Sequence, residues 1–177
     1  AMHWRVLFLM LWMFSYIYPQ IDTLKLVPVT FEIQRKLAPS DSGVGLQGTF
    51  NNWGGPGNKN PIIMKNVGVD IWRITIDLAP GFYEYKFVTY TKTSTGEISI
   101  TSWITDPNNP EFGGPFNNSF LTVSDPMIYY LLPLPNKNIS NPKPIISARI
   151  SYAKRSSLKS LKFFLDGVEI PNASSFY

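Results

Sequence analysis

The 177-residue chain contains no cysteine, which removes disulfides, thiolate metal sites and thiol nucleophiles at once. Its single histidine, His3, lies at the extreme N-terminal end. A Ser-His-Asp arrangement or a histidine-based zinc site therefore cannot be assembled from the remainder. Charge is scarce as well: 16% of residues are charged, and 16 Lys and Arg face 12 Asp and Glu, a formal net charge of +4. The densest basic cluster, Lys154, Arg155, Lys159 and Lys162, is interleaved with serines and apolar residues. Neutralising several phosphates takes a concentrated stripe, so no nucleic-acid partner is expected. No long apolar span is present either. Val6 to Tyr18, interrupted only by Ser15, is 13 residues, against the roughly 20 needed to cross a bilayer as a helix. With His3 and Arg5 ahead of it, this run fits the charged and apolar regions of a secretory signal. Residues 1–22 are thus expected to be an export leader, with a secreted, periplasmic or cell-surface destination and no membrane contact beyond the leader.

What the chain does hold is apolar and aromatic material: 44% hydrophobic and 15% aromatic residues, punctuated by 15 Pro and 12 Gly. That content excludes disorder for most of the length, and the punctuation is too frequent for long helices. An all-β fold is the natural expectation.

Strand patterns follow in order. In Leu24 to Gln34 the residues Val29, Phe31 and Ile33 alternate inward, and Pro28 marks an edge or a bulge. Val44 to Phe50 predicts the second strand and runs into Asn51, Asn52 and Trp53, a turn tolerant of left-handed backbone angles. Trp53 either caps the core or is presented to a ligand. In Asp70 to Leu78, Trp72 shares register with Ile74 and Ile76 and reads as core. From Phe82 to Thr91, Tyr83, Tyr85 and Phe87 oppose Glu84, Lys86 and Val88. Read alone, Lys86 is a surface lysine. In Glu97 to Thr105, Ile98, Ile100 and Ser102 lie on one face and Trp103 on the other, which turns that indole outward. Asp106 to Pro110 is rigid turn material, and Asn117-Asn118-Ser119 opens a strand through Val123.

The combination of GTFNNW (residues 48–53), LAPGFYEYKF (residues 78–87), WITDP (residues 103–107) and FNNSFLTV (residues 116–123) resembles the family-48 carbohydrate-binding modules. That group includes the glycogen-binding domain of the AMP-activated protein kinase β subunit, and similar modules precede the catalytic barrels of α-amylase-family enzymes. The resemblance covers about Val44 to Val123. It implies an immunoglobulin-like β-sandwich over residues 23–130 that binds α-glucan such as starch, glycogen or maltooligosaccharide. Trp53 and Trp103 would be the stacking indoles, Lys86 a hydrogen-bonding lysine and Asn117 the asparagine of the closing loop. Where the kinase-subunit modules carry a leucine that inserts into the sugar ring, and a threonine two residues on, this chain has Gly113 and Pro115. A structural or adhesive immunoglobulin-like domain without sugar binding is the alternative.

Residues 131–144, with four prolines among asparagines, predict a linker. Residues 145–177, with Asp166-Gly167 as a hairpin signal, predict the partial start of a second immunoglobulin-like domain. Glycoside hydrolysis needs two placed carboxylates. Glu84, Asp106 and Glu111 occupy strand, turn and loop positions with structural explanations, so no catalytic residue, metal or cofactor is expected. The implied partners are an α-glucan and a catalytic domain downstream in the same chain.

Overall fold

The computed structural model describes residues 25–134, 137–153, 160, 162 and 164–170. The expected leader, residues 154–159 with three of the four clustered basic residues, and residues 171–177 lie outside the described set. The described chain is an all-β sandwich, as the alternation implied.

One layer is a three-stranded antiparallel sheet. Strand β1 (Val27–Gln34) pairs along its whole length with β5 (Ile71–Leu78), which pairs on its other side with β4 (Lys65–Gly68). β1 is therefore an edge strand, which is why Pro28 is tolerated in it. The facing layer is built on β6 (Gly81–Lys92), the longest strand. One edge of β6 carries β2 (Gly43–Gly48), flanked in turn by β3 (Ile62–Ile63). Its other edge carries two strands end to end. β9 (Asn118–Val123) pairs with the first half of β6, through Tyr85, and β7 (Ile98–Ile104) with the second half, from Phe87 onward. The short β8 (Phe112–Gly113) closes the outer side of β9.

The core lies between the two inner faces: Val27, Val29, Phe31 and Ile33 from β1, Val44 and Leu46 from β2, and Tyr85 and Phe87 from β6 are all buried. Trp72 packs against this cluster and donates its indole N–H to the Arg35 carbonyl at 3.0 Å, so it serves the core as its register predicted.

Two boundaries differ from the sequence expectation. β2 ends at Gly48, two residues before Phe50, because Thr49–Gly54 coils into 3-10 turns. Strand β10 (Met127–Leu132) crosses the 130/131 boundary and pairs with β11 (Ser147–Ser151). Met127 and Ala153 join the same core, so the first strands of the expected second unit rest on the first sandwich. Beyond them, β12 (Phe164–Leu165) and β13 (Val168–Glu169) form a hairpin through Asp166 and Gly167, both at positive φ, as an Asp-Gly turn requires.

Candidate functional site

Tyr85 and Phe87 point into the core, so alternation sends Phe82, Glu84, Lys86 and Val88 to the outer face of the larger sheet. Register then fixes which residues of neighbouring strands share that face. Trp103 pairs with Val88, Gln47 with Lys86, and Phe120 with Glu84.

The loop after β2 lays Trp53 over this face. Phe50 anchors its start inside the sandwich, its ring 5.9 Å from Phe31 and 6.2 Å from Tyr83. Asn52 and Trp53 then adopt left-handed angles, φ 50° and 53°, a conformation that asparagine accepts readily and tryptophan only when its surroundings hold it. Asparagine side chains do the holding. Asn51 Oδ1 accepts the Gly48 N–H at 2.9 Å, and Asn60 Nδ2 donates to the Gly54 carbonyl at 3.2 Å.

Beneath the loop lies Gln47, fully buried, its Nε2 donating to the Asn58 carbonyl at 2.8 Å. Its Oε1 is buried without a hydrogen-bond partner among the described residues. Gly54 crosses directly above at φ 77°, and a Cβ there would stand 2.3 Å from Gln47 Oε1. Only glycine allows that approach. The outer face of β2 is covered in the same manner by Pro61, whose Cβ would lie 2.7 Å from a Cβ on Gly45.

The outcome is that Trp53 and Trp103 adjoin. Their ring centroids are 6.2 Å apart with planes tilted by 53°. Trp53 is half-buried and Trp103 is 40% exposed. Val88, on the same face, is completely buried, which corrects the outward, solvated position that simple alternation gives it. The cross-strand Trp103 and the Pro61 covering account for this.

Lys86 is half-buried on that face, at the position where β9 ends its pairing with β6 and β7 begins. The joint is stitched from below. Asp106, 2% exposed, receives the Tyr85 hydroxyl at 2.6 Å, while its backbone N–H donates to Ser119 Oγ at 2.8 Å. Asp106 is thus a buried structural carboxylate, consistent with its reading as part of a rigid turn. Asn117 is exposed, at φ 51°, and the Thr105 hydroxyl donates to its carbonyl at 2.6 Å. Thr105 lies two residues beyond Trp103, so Asn117 sits at the same corner of the sheet. It also borders a cleft of about 470 Å³ lined in part by Thr105, Phe112 and Lys137.

Trp53, Lys86 and Trp103 therefore share the outer face of the larger sheet, with the two indoles adjoining, while Asn117 lines the cleft with Thr105, Phe112 and Lys137. Sequence reasoning missed Gln47 and Gly54, which seat the Trp53 loop, and the pair Glu84 and Asn118, joined by an Nδ2–H···Oε2 bond of 2.7 Å. Paired glycines after Trp53 were the available signal for a close backbone approach. Gly113 borders Phe120, whose ring would lie 3.3 Å from a Cβ at residue 113. Among the described residues no group of three or more His, Cys, Asp or Glu could hold a metal ion, and no helix is long and apolar enough to cross a membrane. No protein-family model matches this chain, and no curated protein matches its sequence.

Proposed function

We propose that the outer face around Trp53 and Trp103 binds α-glucan and that the sandwich is a non-catalytic carbohydrate-binding module. One observation carries the reading: two indoles from distant parts of the chain are held in contact on one accessible face, 6.2 Å apart. A pyranose offers an apolar C–H face and a polar rim, which calls for flat aromatic surface bordered by a few hydrogen-bonding groups. Lys86 provides such a group on the face that carries the rings, and Asn117, exposed beside the end of β7, is the second candidate. The 53° tilt makes the aromatic wall bent rather than flat. A bent wall suits a glucan whose successive rings turn relative to one another, as α-linked units do, better than a flat ribbon.

Magnitudes favour weak binding that uses both rings. An indole covering about 100 Å² contributes about 2.5 kcal/mol at about 25 cal/mol/Å², and association costs on the order of 4–15 kcal/mol. One ring is not enough. In this reading the chain serves an exported α-amylase-family glycoside hydrolase, holding glucan near a catalytic domain carried elsewhere in the same protein.

Affinity electrophoresis in starch or glycogen gels tests the proposal. The wild-type chain is retarded, Trp53→Ala and Trp103→Ala each lose the retardation while staying folded, and Trp72→Ala mainly unfolds the domain. A folded Trp53→Ala protein that migrates like wild type would overturn it.

A further inference from the structure

Further along the same face stands a second aromatic pair that the indole site does not use. Phe82 and Phe120 have ring centroids 5.5 Å apart with planes tilted by 49°, close to the arrangement of the two tryptophans. Phe82 is 60% exposed although it lies within a strand. A phenyl ring left in water on a strand has no core role that explains it, and it shares its sheet face with the indole pair. Strand geometry sets the spacing. Trp103 faces Val88 and Phe120 faces Glu84, four residues back along β6, or about 13 Å at about 3.3 Å per residue; Phe82 is about 20 Å back. Between the two pairs lie Lys86 and Glu84, an amine and a carboxylate able to bond hydroxyls, with Asn118 buried beneath them. The order along β6 is aromatic, polar, aromatic.

We propose that Phe82 and Phe120 form a distal subsite for the same α-glucan, engaged only by chains of several glucose units that already rest on Trp53 and Trp103. The proposal builds on the indole site described above. Glu84 lines the path between the two ends, and the buried Asn118 carboxamide that donates to it fixes its orientation before a ligand arrives. Affinity at this face therefore depends on chain length, and the length dependence resides in Phe82. Because Phe82 is exposed, its truncation leaves the core intact.

Titration of the 177-residue chain with maltose and with maltoheptaose, followed by calorimetry, separates the two sites. Wild type binds maltoheptaose more tightly than maltose. Phe82→Ala leaves maltose binding unchanged and weakens maltoheptaose about five- to tenfold, the loss expected for one ring contact of about 1 kcal/mol or slightly more. Phe82→Tyr, which keeps the ring, restores wild-type length dependence. If wild type binds both sugars and Phe82→Ala binds both as wild type does, the distal subsite is overturned and the indole site stands. The same holds if Phe82→Ala instead abolishes self-association in sedimentation without altering sugar binding, since the ring then serves a contact between copies of the chain. If wild type binds neither sugar, the indole site itself fails and the subsite with it.

Discussion

Asp106 accepts the Tyr85 hydroxyl at 2.6 Å and the Tyr130 hydroxyl at 3.4 Å on one oxygen, and the Asn108 backbone N–H at 2.8 Å on the other. Burial raises its pKa above the ordinary aspartate value, and these hydrogen bonds pull it back without cancelling the effect. Burial, together with the nearby carboxylate, likewise raises the Tyr85 and Tyr130 hydroxyls, so both stay protonated as donors. With a folded pKa above the unfolded value near 3.8, the stability Asp106 contributes through its titration is fully present below the unfolded value. It is lost as pH rises through the folded one. Comparing unfolding free energies of wild type and Asp106→Asn across pH should therefore show wild type at its relative best in acid, with the advantage shrinking as the carboxyl ionises. An advantage that grew with pH would mean that the ionised form is the favoured one. Asp106→Ala removes the acceptor for several buried donors and should lower the urea midpoint by an amount equal to about 3 kcal/mol. Gly54 gives a second prediction at this scale. Alanine there meets both a φ of 77° and the Gln47 carboxamide, so Gly54→Ala should cost about 2 kcal/mol or more and weaken glucan binding by displacing Trp53. Undiminished retardation in a starch gel would show that Trp53 does not depend on this seat.

At the scale of the element, what was legible from sequence and what was not divide along physical lines. Alternation within one strand is local, so the outward turn of Trp103 and the inward turn of Tyr85 and Phe87 could be read directly, and both hold in the structure. The Asp166-Gly167 hairpin was legible for the same reason, since its backbone angles depend on two adjacent residues. What alternation cannot carry is the covering of an outward face by another part of the chain. β2 reads as half-buried yet is buried at every position, because Tyr90, Pro61 and Phe50 close over Gly43, Gly45 and Gly48, and the Gly54 turn closes over Gln47. Val88 disappears from solvent by the same mechanism. Nor can periodicity in β6 disclose that two strands share one of its edges, which makes Lys86 a joint instead of an ordinary mid-strand position. The turn at Asp106 was legible as a turn through Pro107, but its role as the fastening beneath that joint required partners on β6, β9 and β10. Adjacency of Trp53 and Trp103 depends on the same tertiary placement, and two aromatics of the right type were all that the sequence contained of it.

For the molecule as a whole, the decisive contact is the one between β1 and the pair β10–β11. As an edge strand, β1 exposes backbone N–H groups that would otherwise recruit another strand. Those of Thr30 and Glu32 instead donate to the Tyr129 and Tyr130 hydroxyls at 3.0 and 3.2 Å. Tyr130 passes the connection on to Asp106, linking the edge of one sheet to the joint of the other. The fastening is ionic as well. Arg149 on β11 donates to Glu32 Oε2 at 3.0 Å and lies 4.9 Å above the Tyr130 ring centroid, while Arg73 reaches the same carboxylate at 2.6 Å from within the sheet. Burial alone would raise the Glu32 pKa, but hydrogen bonds and charge from Arg73 and Arg149 outweigh it and hold the carboxyl below its ordinary value. A depressed folded pKa places this contribution above the unfolded value near 4.5, and it fades as pH falls through the lower folded value. Arg149→Ala leaves Glu32 paired with Arg73, so it should cost only about 2 kcal/mol, the sum of a charged hydrogen bond and a cation–π contact. Its effect should be local. Amide exchange should accelerate at Thr30 and Glu32, whose acceptors ride on β10, and remain slow in the central strand β5. Lowering the pH of the wild-type protein should reduce the protection factors of the same two amides first, once the slower intrinsic exchange in acid is divided out. Uniform acceleration across β1 and β5 in the variant would instead mean that β10 and β11 are inseparable from the sandwich and unfold only with it.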